Sequence, residues 1–137
     1  MNSVLHVSIR VTDPQKSAEM FAQILGGEIR KTPLNAWGVV CVYTPGDRPN
    51  WLVNMLEFWP PNKHWRHGRL IDVDVATQRS YCHVAFMCDK TIDELAPIAK
   101  QYGATVQLEE RALDAPVPVL YDDLGNYFEL FPSRHFS

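Results

Sequence analysis

The sequence predicts an α+β fold in which two tandem β-α-β-β-β modules make up one domain of 137 residues. Three observations predict it. An apolar strand pattern followed by helix-start residues occurs once in each half, and strand-like segments follow each predicted helix. His6 lies 20 residues before Gly26, and His83 lies 20 residues before Gly103. The predicted limits are 4–58 for the first module, 59–79 for a connector and 80–132 for the second module.

The first module opens with an alternating apolar pattern over 5–11, which predicts a strand. Thr12, Asp13 and Pro14 follow as a helix-start signature, since proline suits the first helical position. Apolar residues then recur at helical spacing until Gly26, where the predicted helix ends. Three further strands are predicted at 28–31, 37–43 and 51–58.

The second module repeats this order, starting with a predicted strand over 82–87. Thr91 and Glu94 have the spacing of a capping box, and an apolar helical stripe runs from there to Gly103. Pro97 lies inside this helix and is expected to kink or shorten it. Three further strands are predicted at 105–108, 117–121 and 126–131, with a tight turn over 122–126.

Side chains of a strand alternate between its two faces, so parity decides which residues can converge. On the first strand His6 and Ser8 point away from the apolar face that packs under the helix. Glu57, His83 and Glu129 are the corresponding polar residues on three other strands. Each module therefore supplies one histidine near its start and one glutamate on its last strand.

Two imidazoles and two carboxylates suit one borderline or hard divalent ion, such as Zn²⁺, Ni²⁺, Co²⁺, Mn²⁺ or Fe²⁺. A lone histidine or glutamate on a strand is more often an ordinary surface residue. The repeat independently predicts these four positions, and it therefore favours a shared site. The predicted metal ligands are His6, Glu57, His83 and Glu129.

Composition excludes several classes of function. The formal net charge is −3 and there is no run of lysine or arginine, so neither a nucleic-acid partner nor an anionic membrane is expected. No apolar run approaches the ~20 residues that span a bilayer, and the start of the chain lacks the features of a secretory signal.

The three cysteines, Cys41, Cys82 and Cys88, lack metal-type spacing. Reduced thiols in a cytoplasmic protein are expected.

Several motifs resemble those of the vicinal oxygen chelate superfamily, which includes glyoxalase I, extradiol dioxygenases, fosfomycin-resistance transferases and bleomycin-binding proteins. The resemblance covers about residues 4–132. It rests on the run His6 to Asp13, the Leu25-Gly26-Gly27 helix end, and the run Asp123 to Leu130. The family's closing motif has a proline that is missing from Asp122-Asp123 in this chain.

The resemblance implies a half-open mixed β-barrel with the helices on its outer face and the metal on its concave face. Glyoxalase I is the most similar in its ligand pattern, with one ligand from each of four strands. By this resemblance Glu129 is the catalytic base and Glu57 its symmetric partner. Arg10 would bind an anionic group of the substrate, and Ser8 would donate a hydrogen bond to it. Relatives of this kind are often homodimers, so a homodimer is expected.

The sequence thus favours an enzyme similar to lactoylglutathione lyase. It would act on a small α-oxygenated or thiol-conjugated substrate, with glutathione or another thiol as partner. One alternative is a fosfomycin-type thiol transferase or other three-ligand metal enzyme, for which Glu57 is not needed. An extradiol dioxygenase would need further acid–base residues that cannot be assigned. A protein that sequesters an aromatic ligand without catalysis is the remaining alternative, since four tryptophans could line a cleft.

Overall fold

The structure, a computed structural model, describes residues 6–44, 55–66, 68–72, 82–110 and 115–136. The chain divides into two compact units, Met1–Ser80 and Tyr81–Ser137. Each unit contains one α-helix and one open four-stranded mixed sheet. The predicted α+β fold of tandem modules is therefore confirmed. Residues 1–5 and 51–54, which include parts of two predicted strands, lie outside the described residues.

The first unit follows the predicted order of strand, helix and three strands, and then adds a hairpin. Its sheet has the order β1-β4-β3-β2, in which β1 and β4 are parallel and the other pairs are antiparallel. The elements are β1 (His6–Arg10), α1 (Pro14–Leu25), β2 (Glu28–Arg30), β3 (Val40–Tyr43), β4 (Met55–Trp59), β5 (Lys63–Arg66) and β6 (Arg69–Asp72).

Capping residues define both ends of helix α1. The Asp13 carboxylate accepts a hydrogen bond from the Lys16 backbone N–H at 3.1 Å, and Pro14 follows at the first helical position. Gly26 ends the helix with φ +70°, a conformation that glycine adopts without steric cost. The predicted helix is confirmed at both ends.

One face of the first sheet packs against α1. Phe21 of the helix stacks on Phe58 of β4 with ring centroids 5.3 Å apart. Ile9 and Leu56 are fully buried beside them. Because side chains alternate along a strand, Glu57 points to the opposite face of the sheet from Phe58.

The predicted strand over 37–43 is wrong in its first part. Residues Pro33–Trp37 form a short 3-10 helix, and β3 starts only at Val40. Thr32 caps this turn, since its hydroxyl accepts from the Leu34 N–H and its own N–H donates to the Asn35 side chain. This local capping box overrides the apolar strand pattern at Trp37.

The hairpin of β5 and β6 falls inside the predicted connector 59–79 and was not predicted from the sequence. Its two strands are antiparallel, with Lys63 opposite Asp72. Gly68 adopts φ +74° between them, and the Lys63 ammonium contacts the Asp72 carboxylate.

In its described residues, the second unit repeats the order of the first and shows no added hairpin. Its sheet has the order β7-β10-β9-β8, and again the first and last strands of the module are the parallel pair. The elements are β7 (His83–Met87), α2 (Ile92–Gln101), β8 (Thr105–Glu109), β9 (Val117–Tyr121) and β10 (Tyr127–Phe131). A short 3-10 helix, Ser133–Phe136, follows β10.

Helix α2 begins with the predicted capping box. Thr91 accepts from the Glu94 N–H at 3.3 Å, and Glu94 accepts from the Thr91 N–H at 2.7 Å. Pro97 does not end the helix, which continues to Gln101. Gly103 follows with φ +76°, the counterpart of Gly26. Neither described helix is long and apolar enough to cross a membrane.

The predicted turn over 122–126 is confirmed. The Asp122 carboxylate accepts from the backbone N–H groups of Leu124 and Asn126, and also from the Asn126 side chain at 2.7 Å. Burial raises the pKa of Asp122, against the lowering effect of these hydrogen bonds. The turn aligns β9 with β10, so Glu129 lies opposite Val119.

Candidate metal-binding half-sites

The first candidate half-site lies on the parallel strands β1 and β4. Their register sets His6 opposite Met55 and Ser8 opposite Glu57. His6 and Glu57 are thus diagonal neighbours on one face of the sheet. The imidazole Nε2 of His6 lies 3.5 Å from Oε1 of Glu57.

The second candidate half-site has the same construction on β7 and β10. His83 lies opposite Tyr127, and Glu129 lies opposite Ala85. The imidazole Nε2 of His83 contacts Oε1 of Glu129. In each unit the histidine therefore stands one diagonal step from the glutamate, so the four predicted ligands occupy equivalent register positions.

The two glutamates are buried, whereas the two histidines are not. The side chains of Glu57 and Glu129 are 8% and 9% exposed, and those of His6 and His83 are 47% and 44% exposed. A buried carboxylate is costly unless a cation or hydrogen-bond donors compensate it. Each half-site therefore places a buried carboxylate beside a half-exposed imidazole.

Glu57 receives two hydrogen bonds from residues on its own face of the sheet. The Ser8 hydroxyl donates to Oε1 at 2.6 Å, and the Trp59 indole N–H donates to the same oxygen at 3.3 Å. Ser8 was predicted to bind substrate, and its hydroxyl is engaged by Glu57 here. Trp59 was not predicted as a contact of the site, although it shares the parity of Glu57 along β4.

His83 is supported in a different way. The Tyr127 hydroxyl lies 3.0 Å from the other imidazole nitrogen, Nδ1, and the two rings stack with centroids 4.2 Å apart. Tyr121 stacks in turn on Tyr127 at 5.9 Å. Tyr127 was not singled out from the sequence. The signal that could have found it is its position two residues before Glu129 on the same strand face.

Arg10, the other predicted substrate-binding residue, lies two residues beyond Ser8 at the end of β1. It pairs with Trp59 in the parallel register. Partial burial lowers the pKa of its guanidinium from the usual value, since desolvation disfavours the charged form. Arg10 keeps its charge, because arginine remains protonated in proteins.

Cys41 lies opposite Glu57 in the antiparallel pair of β3 and β4. Burial raises the pKa of its thiol, and the nearby Glu57 carboxylate raises it further. The thiol therefore stays protonated at neutral pH.

The chemistry of the donor set fits a divalent ion. Two donors held at about 2.1 Å from one ion lie about 3.0–3.4 Å apart at octahedral to tetrahedral angles, and the 3.5 Å separation of His6 and Glu57 is near that range. Within the described residues no group of three or more His, Cys, Asp or Glu side chains converges. Each unit thus offers a pair of candidate donors.

Comparison with known proteins bears on the fold. No family model matches this chain, and no curated protein matches it. Among solved structures, glyoxalase I of Leishmania major is similar at 20% identity and TM-score 0.58, covering 99% of this chain and 90% of that one. The fosfomycin resistance protein FosX of Listeria monocytogenes, complexed with Mn(II) and sulfate, is similar at 15% identity and TM-score 0.61. That match covers 100% of this chain and 99% of FosX.

A member of the glyoxalase/bleomycin resistance/dioxygenase superfamily from Sphaerobacter thermophilus is also similar, at 18% identity and TM-score 0.58. That match covers 95% of this chain and 96% of the other. The chain therefore has the fold of the vicinal oxygen chelate superfamily. The resemblance found in the sequence motifs is confirmed at the level of the fold.

Proposed function

We propose that this protein is a metal-dependent, glyoxalase-like lyase or isomerase. Its substrate is a small α-oxygenated or thiol-conjugated molecule, with glutathione or another thiol as partner. One divalent ion of the Zn, Ni, Co, Mn or Fe group is bound in the proposed site. Its ligands are His6, Glu57, His83 and Glu129.

One observation carries the proposal. Both units hold a buried glutamate in contact with a half-exposed histidine, at the same diagonal step of a parallel strand pair. A chance surface histidine would not recur at the same register position in both units. Imidazole and carboxylate donors together suit a borderline or hard divalent ion. The likeness to FosX, which was solved with Mn(II), supports a metal-using function for this fold.

The ion would supply Lewis-acid stabilisation of negative charge on a substrate oxygen. The protein's own groups supply the remaining chemistry. The Glu129 carboxylate takes a proton from the carbon next to that oxygen and returns it to the neighbouring carbon. Glu57 keeps its place as a ligand, and its position makes it the symmetric counterpart of Glu129.

Arg10 binds the anionic group of the substrate in this proposal. It lies on the strand that carries His6, and its guanidinium stays charged and has the geometry to bind a carboxylate. The Ser8 hydroxyl, on the same strand face, is the second substrate contact expected from the sequence, but its proton is donated to Glu57 in the structure.

A fosfomycin-type thiol transferase is the second candidate function. FosX proteins are similar to this chain over its whole length, and a three-ligand site would use His6, His83 and Glu129 without Glu57. A sequestering protein that binds an aromatic ligand without metal is the third candidate. The role of Glu57 separates the first two, and metal uptake separates both from the third.

We further propose a homodimer located in the cytoplasm. Cys41, Cys82 and Cys88 are all free thiols, which is expected of a reducing compartment. Sedimentation equilibrium of the purified protein tests the dimer, whose mass would be twice 15.7 kDa.

Metal stoichiometry is the decisive measurement. The chelator-stripped protein is reloaded with each of the five candidate ions and measured by elemental analysis, for the wild type and for Ala variants of each proposed ligand. We expect one ion per chain in the wild type and a large loss of uptake in each variant. Glu28→Ala, which removes an exposed carboxylate on β2, is the matched control and should bind normally. No uptake by the wild type, or two ions per chain, contradicts the proposal.

Turnover then separates the enzyme classes. The loaded protein is assayed with methylglyoxal and glutathione, and separately with fosfomycin and thiols. Glu57→Ala should abolish lyase turnover if the four-ligand interpretation is right. Fosfomycin conversion that survives Glu57→Ala would instead support the transferase.

A further inference from the structure

We infer that Ser8 and Trp59 are positioning residues that hold Glu57 in the orientation a metal ion requires. This inference rests on the proposed metal site and assigns these two residues a role in it. The carboxylate of the first half-site is then fixed before any ion binds. Ser8 then acts through Glu57 instead of contacting the substrate itself.

The geometry of the two hydrogen bonds supports this role. The Ser8 donor comes from the neighbouring strand β1, directly opposite Glu57 in the parallel register. The Trp59 donor comes from β4, the strand that carries Glu57, two residues beyond it. Both end on Oε1, at 2.6 and 3.3 Å. Two donors from different directions on Oε1 orient the carboxylate, so that its second oxygen, Oε2, is the one that would bind the ion.

A fixed carboxylate matters for binding an ion. A free glutamate side chain has many rotamers, and binding a metal restricts it to one. Hydrogen bonds from outer residues impose that restriction in advance, and removing such partners typically weakens metal affinity 10- to 100-fold. The bond from Ser8 is also short and charge-assisted, which makes it stronger than a neutral one.

The same contacts are not demanded by the fold. The residues of the second unit at the positions of Ser8 and Trp59 are Ala85 and Phe131. Neither side chain carries a hydrogen-bond donor. Both units fold with the same strand order and register, so the pair of donors is a feature of the half-site and not of the sheet.

Ser8 has only one hydroxyl proton. While it is donated to Glu57, it is not available for a substrate oxygen. The loss of Ser8 should therefore appear first in metal affinity and only secondarily in the Michaelis constant. This order separates a positioning residue from a residue that binds substrate.

Isothermal titration calorimetry of the stripped, full-length protein with Zn²⁺ and with Mn²⁺ tests the inference. Ser8→Ala should raise the dissociation constant about 10- to 100-fold. Ser8→Thr keeps the hydroxyl and should restore affinity to within about threefold. Trp59→Phe should weaken binding less, since its bond is longer.

Two matched controls make the test specific. Ser133→Ala removes a serine hydroxyl that also donates to a carboxylate, that of Asp89, outside the proposed site. Trp37→Phe removes an indole from the 3-10 helix. Both should leave metal affinity unchanged. Thermal melting of the metal-free variants shows whether Ser8→Ala costs more fold stability than Ser133→Ala.

The outcomes are distinct. If the wild type binds metal and Ser8→Ala binds it equally well, the inference is overturned and the proposed function stands. If Ser8→Thr is as weak as Ser8→Ala, packing and not the hydrogen bond is responsible, and the inference is again overturned. If the wild type binds no metal, the proposed function fails and this inference fails with it.

Discussion

The two units build equivalent half-sites, each on its own four-stranded sheet, but different residues contact the histidine–glutamate pair in each unit. In the first unit the carboxylate is held, because Ser8 and Trp59 donate to Glu57. In the second unit the imidazole has the additional partner, because the Tyr127 hydroxyl contacts Nδ1 of His83. The strand register therefore sets the position of each candidate ligand. The residues that orient the ligand differ between the two units.

The two units also differ in the buried residues on either side of each glutamate. Leu56 and Phe58 flank Glu57 on β4, whereas Phe128 and Leu130 flank Glu129 on β10, with the aromatic and aliphatic residues exchanged. All four are fully buried. Each sheet thus buries one aromatic ring next to its glutamate. The ring follows Glu57 in the first unit and precedes Glu129 in the second.

The largest loss of stability is expected when these buried side chains are truncated to alanine. Phe58→Ala removes the ring that stacks on Phe21 and should reduce the free energy of unfolding by about 3–5 kcal/mol. Leu130→Ala, its counterpart, should cost about 2–5 kcal/mol. Urea denaturation measures both, with Leu108→Ala at an exposed position as control. A cost below that of the control would contradict the assigned core.

A smaller effect is expected where one unit needs glycine and the other does not. A Cβ atom on Gly27 would lie 2.8 Å from Cγ1 of Val42 and 2.9 Å from the Tyr43 carbonyl oxygen. The counterpart after α2 is Ala104, whose methyl group is buried.

Gly27→Ala should therefore destabilise the protein by about 1–3 kcal/mol through overpacking. The reverse change, Ala104→Gly, should cost about 0.5–1 kcal/mol through backbone entropy. Thermal melting of both variants measures the difference. Equal stability of Gly27→Ala and the wild type would show that the two helix–strand junctions are interchangeable.

The support of His83 can be tested by removing one oxygen atom. Tyr127→Phe keeps the ring that stacks on the imidazole and deletes the hydroxyl. A ligating histidine normally donates its second ring N–H to such a partner, so metal affinity should fall about tenfold. Calorimetry measures it, and ¹⁵N NMR of the imidazole reports the tautomer. Tyr43→Phe in the first unit is the control, and an unchanged affinity for Tyr127→Phe would assign the hydroxyl no role.

The smallest effect concerns the two helix starts. Helix α1 has a single side-chain cap from Asp13, whereas α2 has the reciprocal pair of Thr91 and Glu94. The hydrogen bond from the Thr91 backbone lowers the pKa of Glu94 below its usual value. A lowered pKa means that the stabilisation is present above the carboxyl's ordinary pKa and is lost as the pH falls.

The stability difference between wild type and Glu94→Gln should accordingly be largest near neutral pH and should shrink below about pH 4. Denaturation at a series of pH values measures it. Glu28→Gln, on an exposed strand position, should show no comparable trend. A difference that grows toward low pH would contradict the capping interaction.

Much of the fold could be predicted because local signals repeat. Gly26 and Gly103 both adopt positive φ, at the equal distance from a histidine that suggested the repeat. The hairpin of β5 and β6 was missed because polar and charged residues mask a strand pattern. The short helix before β3 was missed because the Thr32 capping box competes with an apolar run.

The candidate site could be predicted only in part. Strand parity identified the four ligand candidates, and the structure brings them together in two pairs, His6 with Glu57 and His83 with Glu129. Parity alone does not give register between strands that are distant in sequence. The contact of Tyr127 with His83 depends on that register, and the contact of Trp59 with Glu57 depends on side-chain rotamers. Parity places both residues on the site face but does not give these contacts. Whether one ion joins the pairs stays a prediction.

The parallel pairing of the first and last strands in each module also has a kinetic consequence. Ser8 and Glu57 are 49 residues apart in sequence, and His83 and Tyr127 are 44 apart. Loop closure over such distances is entropically costly, so contacts of this kind form late in folding. Each half-site is completed by the strand that comes last in its module along the chain. An ion would therefore bind only after the module has folded. It would slow unfolding and leave the folding rate almost unchanged.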